Sequence, residues 1–101
     1  MSEGYLQGKI LEYLLKQGAY AVNIHGDEYQ SSVPDILVCY RGRFIGIEVK
    51  DANGNLSPGQ RKHLRRIQKA GGIGEGLRSI QRVKDIIQSI NEGKPWNNGT
   101  Y

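Results

Sequence analysis

Val33 to Lys50 reads VPDILVCYRGRFIGIEVK, and the pairing of this stretch decides the fold. Residues 35–41 and 44–50 are rich in Ile, Val, Phe and Tyr, which suit a pleated, half-buried surface. The Gly42-Arg43 pair between them suits a tight hairpin turn of type II′ or I′. With that turn, Arg41 faces Phe44, Asp35 faces Lys50 and Leu37 faces Glu48. Side chains alternate across a strand. Asp35, Glu48 and Lys50 therefore leave the hairpin from one face, at one end. The other face carries Ile36, Val38, Tyr40, Ile45, Ile47 and Val49 and is apolar throughout. A one-residue slip in the pairing would send Asp35 to the face opposite Glu48 and Lys50.

This constellation has a chemical use. Two carboxylates meeting at a sheet end repel each other, and a hard divalent cation relieves the repulsion. Mg²⁺ favours oxygen ligands and keeps several waters. A cation so held polarises a phosphoryl oxygen and activates water, and a lysine beside it stabilises charge developing on the phosphate. The plain alternative is a surface salt bridge, because carboxylate-x-lysine is a common edge-strand pattern.

The hairpin sits inside a regular alternation of elements. Ile10, Leu11, Leu14 and Leu15 recur at helical spacing within residues 3–17, and Gly18 ends that helix. Residues 19–25 read as a strand and residues 26–34 as a loop. Ser57-Pro58-Gly59-Gln60 starts a second helix, with Ser57 as N-cap, Pro58 in the first turn and Gln60 closing a capping box. It runs to about Ala70, before Gly71-Gly72. Residues 73–78 read as a short strand. Ser79 caps a last helix whose inner face is Val83, Ile86, Ile87 and Ile90. Residues 1–92 form one domain, and residues 93–101, with Pro, Asn and Gly, read as a C-terminal tail. Strands alternating with helices predict an α/β fold around a mixed central sheet, in the order α-β-β-β-α-β-α.

Helical wheels add to the hairpin. At about 100° per residue, Glu3 and Gln7 fall within the stripe of Leu6, Ile10, Leu11 and Leu14, whereas Glu12 falls opposite, four residues before Lys16. Glu3 thus points toward the body of the protein, where an unpaired charge is costly. Either a cation relieves it, or the helix start frays and Glu3 favours the positive helix end. On the second helix Gln60, Leu64 and Ile67 share the inner face. Arg61, Lys62, Arg65, Arg66 and Lys69 share the outer one, and residues 52–74 contain no Asp or Glu. Ordinary solvated faces mix both signs, so this one reads as a phosphate-contacting surface. His63 borders it without a metal-ligand partner nearby in sequence, and His25, at a strand end, could reach the site mouth.

The composition sets outer bounds. A chain of 101 residues makes one small domain, of a size that often extends its core through a subunit interface. The net charge of +4 and pI of about 9.3 tilt it toward polyanions. The single cysteine, Cys39, lies in an apolar run and reads as a small buried hydrophobe. A lone thiol suits a reducing compartment. No apolar run reaches the roughly 20 residues of a membrane span, and the first residues lack the apolar core of a signal peptide. These features predict a soluble, cytoplasmic protein.

In order along the chain, Val33-Pro34-Asp35-Ile36-Leu37, Ile47-Glu48-Val49-Lys50 and Gly54-Asn55-Leu56-Ser57-Pro58-Gly59-Gln60 resemble the virus-type replication-repair nuclease (VRR-NUC) domain of the PD-(D/E)XK superfamily. The likeness runs from Glu3 to about Ile90. It implies a restriction-endonuclease-like core and a DNA endonuclease dependent on Mg²⁺ or Mn²⁺. In it, Asp35 and Glu48 bind the metal, the Val49 carbonyl is a further ligand and Lys50 is the catalytic lysine. Glu3 matches the acidic residue of the first helix, with Gln7 as a helper, and Gln60 matches the glutamine after the Glu-x-Lys strand. The likeness also implies a stand-alone protein of bacterial or phage-infected cells, homodimeric, acting on branched DNA such as four-way junctions. The alternatives are a non-catalytic nucleic-acid-binding module on the same fold, and a small oligomerisation domain with merely solvated charges.

Overall fold

In the computed structural model, which describes residues 2–24 and 32–101, the elements are α1 (Glu3–Lys16), β1 (Tyr20–Asn23), β2 (Ile36–Tyr40), β3 (Arg43–Val49), α2 (Pro58–Lys69), β4 (Ile73–Leu77) and α3 (Ile80–Asn91). The predicted order holds, while β1 leaves out Ala19 and Ile24; residue 25 of the predicted strand and residues 26–31 of the predicted loop lie outside the described residues. The sheet order is β1-β2-β3-β4. β1/β2 and β2/β3 are antiparallel, and β3/β4 are parallel through the α2 crossover. The fold is the expected small α/β sandwich on a mixed sheet.

The core lies between the sheet and the pair α1 and α3. Leu6, Ile10 and Leu14 of α1 and Val83, Ile86 and Ile87 of α3 close over Ile36, Val38, Ile45, Ile47 and Val49. α2 covers the opposite face, chiefly through the buried Leu64. It lies so near the sheet that a Cβ on Gly74 would stand 2.7 Å from the Leu64 carbonyl oxygen. Gly74→Ala should therefore push α2 off β4 and cost about 1–3 kcal/mol of unfolding free energy in urea titrations.

The hairpin turn differs from the one read in sequence by one residue. Tyr40 pairs with Arg43, so the turn residues are Arg41 and Gly42, at φ 48° and 78°. Positive φ at both central positions is type I′, which takes its glycine second; the sequence reading had put it first. Moving a two-residue turn by one residue shifts every partner by two. The period of the strand is also two, so the faces survive the change.

Three further details depart from the sequence reading. Cys39 is exposed, because it alternates with buried Val38 onto the sheet face that α2 leaves bare at β1 and β2. Ser79 is the N-cap of α3 by position, but its side chain makes no capping hydrogen bond. Residues 93–101 contain no helix or strand, as their Pro, Asn and Gly suggest, yet they pack along the free edge of β4. Asn98 Oδ1 accepts from Gly74 N–H at 3.2 Å, the Tyr101 hydroxyl accepts from Gly76 N–H at 3.0 Å, and Gly99 N–H donates to the buried Glu75 at 2.6 Å. The packed body continues to Tyr101.

Candidate active site

The site forms where β2 and β3 run out. One step beyond the ladder that pairs Ile36 with Ile47, Asp35 stands across from Glu48. Pro34 does not continue the ladder: its ring packs over Gly46, with Cγ 3.3 Å from where a Cβ on Gly46 would stand. The Val49 N–H turns instead to the Asp35 carboxylate, donating to Oδ2 at 2.8 Å. Asp35 is also fixed from the other side, where its carbonyl accepts from Ile24 N–H at 2.6 Å. The Pro-Asp dipeptide thus stands where the ladder ends and anchors one carboxylate there.

Glu48 is 3% exposed. Its Oε1 accepts from Gln60 Nε2 at 2.9 Å, and Lys50 Nζ stands 4.0 Å from the same oxygen. Its Oε2 is buried and has no hydrogen-bond partner among the described residues. Asp35 lies near enough to share a proton with Glu48, but when both are ionised neither can donate. Burial first, and then the Asp35 charge, push Glu48 up to about 8; Lys50 pulls it down and Glu3 adds a smaller upward push. A buried acid with an unmet oxygen beside a second carboxylate is a poor solution for a bare protein and a good one for a cation.

Gln60 has two tasks that the sequence reading kept apart. Its Oε1 accepts from the Ser57 N–H at 2.8 Å and completes the capping box, while Ser57 Oγ accepts from the Gln60 N–H at 3.1 Å. With the amide oxygen so occupied, the NH₂ end faces Glu48 and can only donate. The start of α2 therefore sets the orientation of a carboxylate on β3.

Glu3 opens α1 half-buried and acts on Glu48 through space. Among the described residues, no three His, Cys, Asp or Glu side chains gather into a metal-ligating group. Glu3 is thus not placed as a third direct ligand, and Asp35, Glu48 and the Val49 carbonyl are the donors at hand. Such a set fits Mg²⁺, which commonly takes one or two carboxylates and completes its shell with water. Gln7, one turn along, is half-buried, and Glu12 is solvated and paired with Lys16 at 3.3 Å.

On α2, Arg61, Lys62, Arg65, Arg66 and Lys69 are all exposed. Arg65 Nη1 donates to the Tyr101 main-chain oxygen at 2.9 Å, so it serves the packing of the last residues. The other four have no ion-pair partner among the described residues. His63 is half-buried on the same helix, and His25 lies outside the described residues. Arg78, the last residue of the strand read over 73–78, donates to the Asp51 carbonyl and braces the chain just after Lys50. Asp51 in turn accepts from Asn53 and Gly54 N–H groups at 2.9 and 2.7 Å. No spacing rule announces this brace, because Arg78 reaches it only through the parallel pairing of β3 with β4.

No family model matches the chain, and no curated protein matches it. Solved structures do. One described as "VRR_NUC domain" is 30% identical, with a TM-score of 0.70, over 85% of this chain and 94% of its own. Another, "VRR_NUC domain protein", has a TM-score of 0.73 over 100% of this chain and 97% of its own; at 16% identity it speaks to the fold alone. Sequence and fold together place the chain in the VRR-NUC family, within the nuclease superfamily of restriction-endonuclease-like folds.

Proposed function

We propose that this protein is a divalent-metal-dependent endonuclease that hydrolyses phosphodiester bonds in branched or otherwise structured DNA. One observation carries the reading: the buried, unpartnered oxygen of Glu48 beside Asp35, with a lysine and a glutamine aimed at the same group. Asp35, Glu48 and the Val49 carbonyl would hold Mg²⁺ or Mn²⁺. When bound, such an ion supplies Lewis-acid polarisation of the phosphate and activation of water. Gln60 fixes the Glu48 carboxylate in place. Glu3 adds negative charge behind the pair, which strengthens its hold on a cation. Lys50 orients the attacking water and offsets charge on the phosphate in the transition state. Arg61, Lys62, Arg65, Arg66 and Lys69 track the DNA backbone along α2.

The test is a cleavage assay on duplex, flap, fork and four-way-junction DNA with Mg²⁺, Mn²⁺ or EDTA. Cutting that EDTA abolishes supports the reading. Binding without cutting in both metals would make the protein a non-catalytic module.

We further propose a homodimer, acting in the cytoplasm of a bacterial or phage-infected cell. The bare sheet face carries Tyr20 at 71% exposure, Phe44 at 46% and the exposed Cys39. A second copy seated there would cover these groups and unite two sites on one branched substrate. Light scattering should give twice the chain mass, and Phe44→Asp should halve it. A wild-type monomer would refute the dimer and leave the nuclease assignment standing.

A further inference from the structure

The α1 face next to the site is neither core nor ordinary polar surface. Tyr5 is 55% exposed. It lines a cavity of about 330 Å³ with Leu6, Lys9, Arg78, Ser79 and Ile80. A second cavity of about 160 Å³ shares Lys9 and Ile80 and adds Tyr13 and Lys84. The two form one groove between α1 and α3. Tyr5, Lys9 and Tyr13 recur every four residues, so they share a helix face. Lys9 Nζ sits 5.6 Å from the Tyr5 ring centre and Lys84 Nζ 5.5 Å from that of Tyr13. Tyr13 packs partly on the core, whereas the Tyr5 ring is open to a ligand.

The groove is also cationic. Among the described residues Glu12 is its one carboxylate, and it is taken by Lys9 at 3.9 Å and Lys16 at 3.3 Å. No carboxylate among the described residues pairs with Lys84 or Arg78. Two links tie the groove to the active site: α1 opens, two residues before Tyr5, with Glu3, whose charge reaches Glu48, and Arg78, which lines the groove, holds the Asp51 carbonyl next to Lys50. Rings interleaved with cations form a platform for unpaired nucleotides, whose bases stack while their phosphates meet the charges. A duplex presents chiefly its backbone to a protein surface and has no use for an exposed ring.

We infer that this groove binds an unpaired stretch of the DNA strand as it leaves the active site. A base stacks on Tyr5 against Ile80, and phosphates meet Arg78, Lys9 and Lys84. The inference rests on the nuclease reading for its partner and adds a site and a substrate class to it.

The test uses the full chain in EDTA with three DNAs: a single strand and a forked duplex, each with 2-aminopurine in its unpaired part, and a blunt duplex. Wild-type protein should quench the 2-aminopurine and bind the fork more tightly than the blunt duplex. Tyr5→Ala should remove the quench and weaken fork binding roughly tenfold, with blunt-duplex affinity and thermal midpoint nearly unchanged. Tyr5→Trp should restore the quench. Equal loss on fork and duplex, or a quench indifferent to Tyr5→Ala, overturns the inference. So does a Tyr5→Trp emission change with polyglutamate and none with oligonucleotide, which would assign the groove to an acidic protein. A Tyr5-dependent quench by a protein that cuts no DNA would sink the nuclease reading alone; cutting without such a quench would sink this one alone.

Discussion

Glu48→Gln should abolish metal-dependent cleavage and at the same time make the metal-free protein harder to unfold. Losing a charged ligand and its hold on the transition state should lower the cleavage rate by roughly 10³-fold or more. Stability moves the other way because the folded protein tolerates the ionised glutamate poorly. Glu48 ionises at about 8 when folded, against the usual 4.5 of an open chain. Between these values the folded state holds a proton that the unfolded state has released. Its stabilising contribution is full below about 4.5 and is lost as pH rises through about 8. At pH 7, 2.5 pK units above the open-chain value of 4.5, the ionisable side chain costs the fold on the order of 3 kcal/mol, since each pK unit is worth about 1.4 kcal/mol. Glutamine escapes that cost. Thermal melts in EDTA at pH 6, 7 and 8 should show a wild-type midpoint that falls with pH, and a variant that is higher and flatter. Added Mg²⁺ should raise the wild type and leave Glu48→Gln unmoved. A variant less stable than wild type at pH 8 in EDTA would remove the argument that this carboxylate is held under strain for a cation.

Lys50→Met should cost the reaction roughly 10²- to 10³-fold, the scale seen for one lost transition-state contact, with little change in fold. Methionine keeps the long apolar stem, and the Lys50 main chain stays anchored by its N–H to Leu77 O at 2.9 Å. It removes the cation 4.0 Å from Glu48, and with it a repulsion on Mg²⁺, so the metal should bind at least as tightly. Measuring rates across a Mg²⁺ titration separates the two effects. A deficit that vanishes at saturating Mg²⁺ would make Lys50 an aid to metal binding and no more. A deficit that persists puts it at the reacting phosphate.

Much of this was legible in sequence because the governing patterns are local. The Ser57-Pro58-Gly59-Gln60 start of α2, its inner and outer faces and the apolar face of the hairpin all follow from spacing and cap chemistry. The turn was misplaced by one residue, since Gly42 fits either central position and only the pairing decides. The site survived that error because strand period and pairing shift are both two. Cys39 was misjudged because burial in a strand depends on what covers each face, and the coverage by α2 is a tertiary fact. Residues 93–101 hid their role for a like reason: Asn98 and Tyr101 act on Gly74 and Gly76, far away along the chain. Arg65 has a partner that a helix wheel could not show, because the wheel sees an outer face and not the chain end that returns to it.

The ladder between β2 and β3 stops at Ile36 and Ile47, and the Val49 amide goes to the Asp35 carboxylate. An acid side chain thus takes a place that a neighbouring strand would otherwise fill. The centre of this molecule is an interruption, and the group that interrupts the sheet is the same one that would hold the ion.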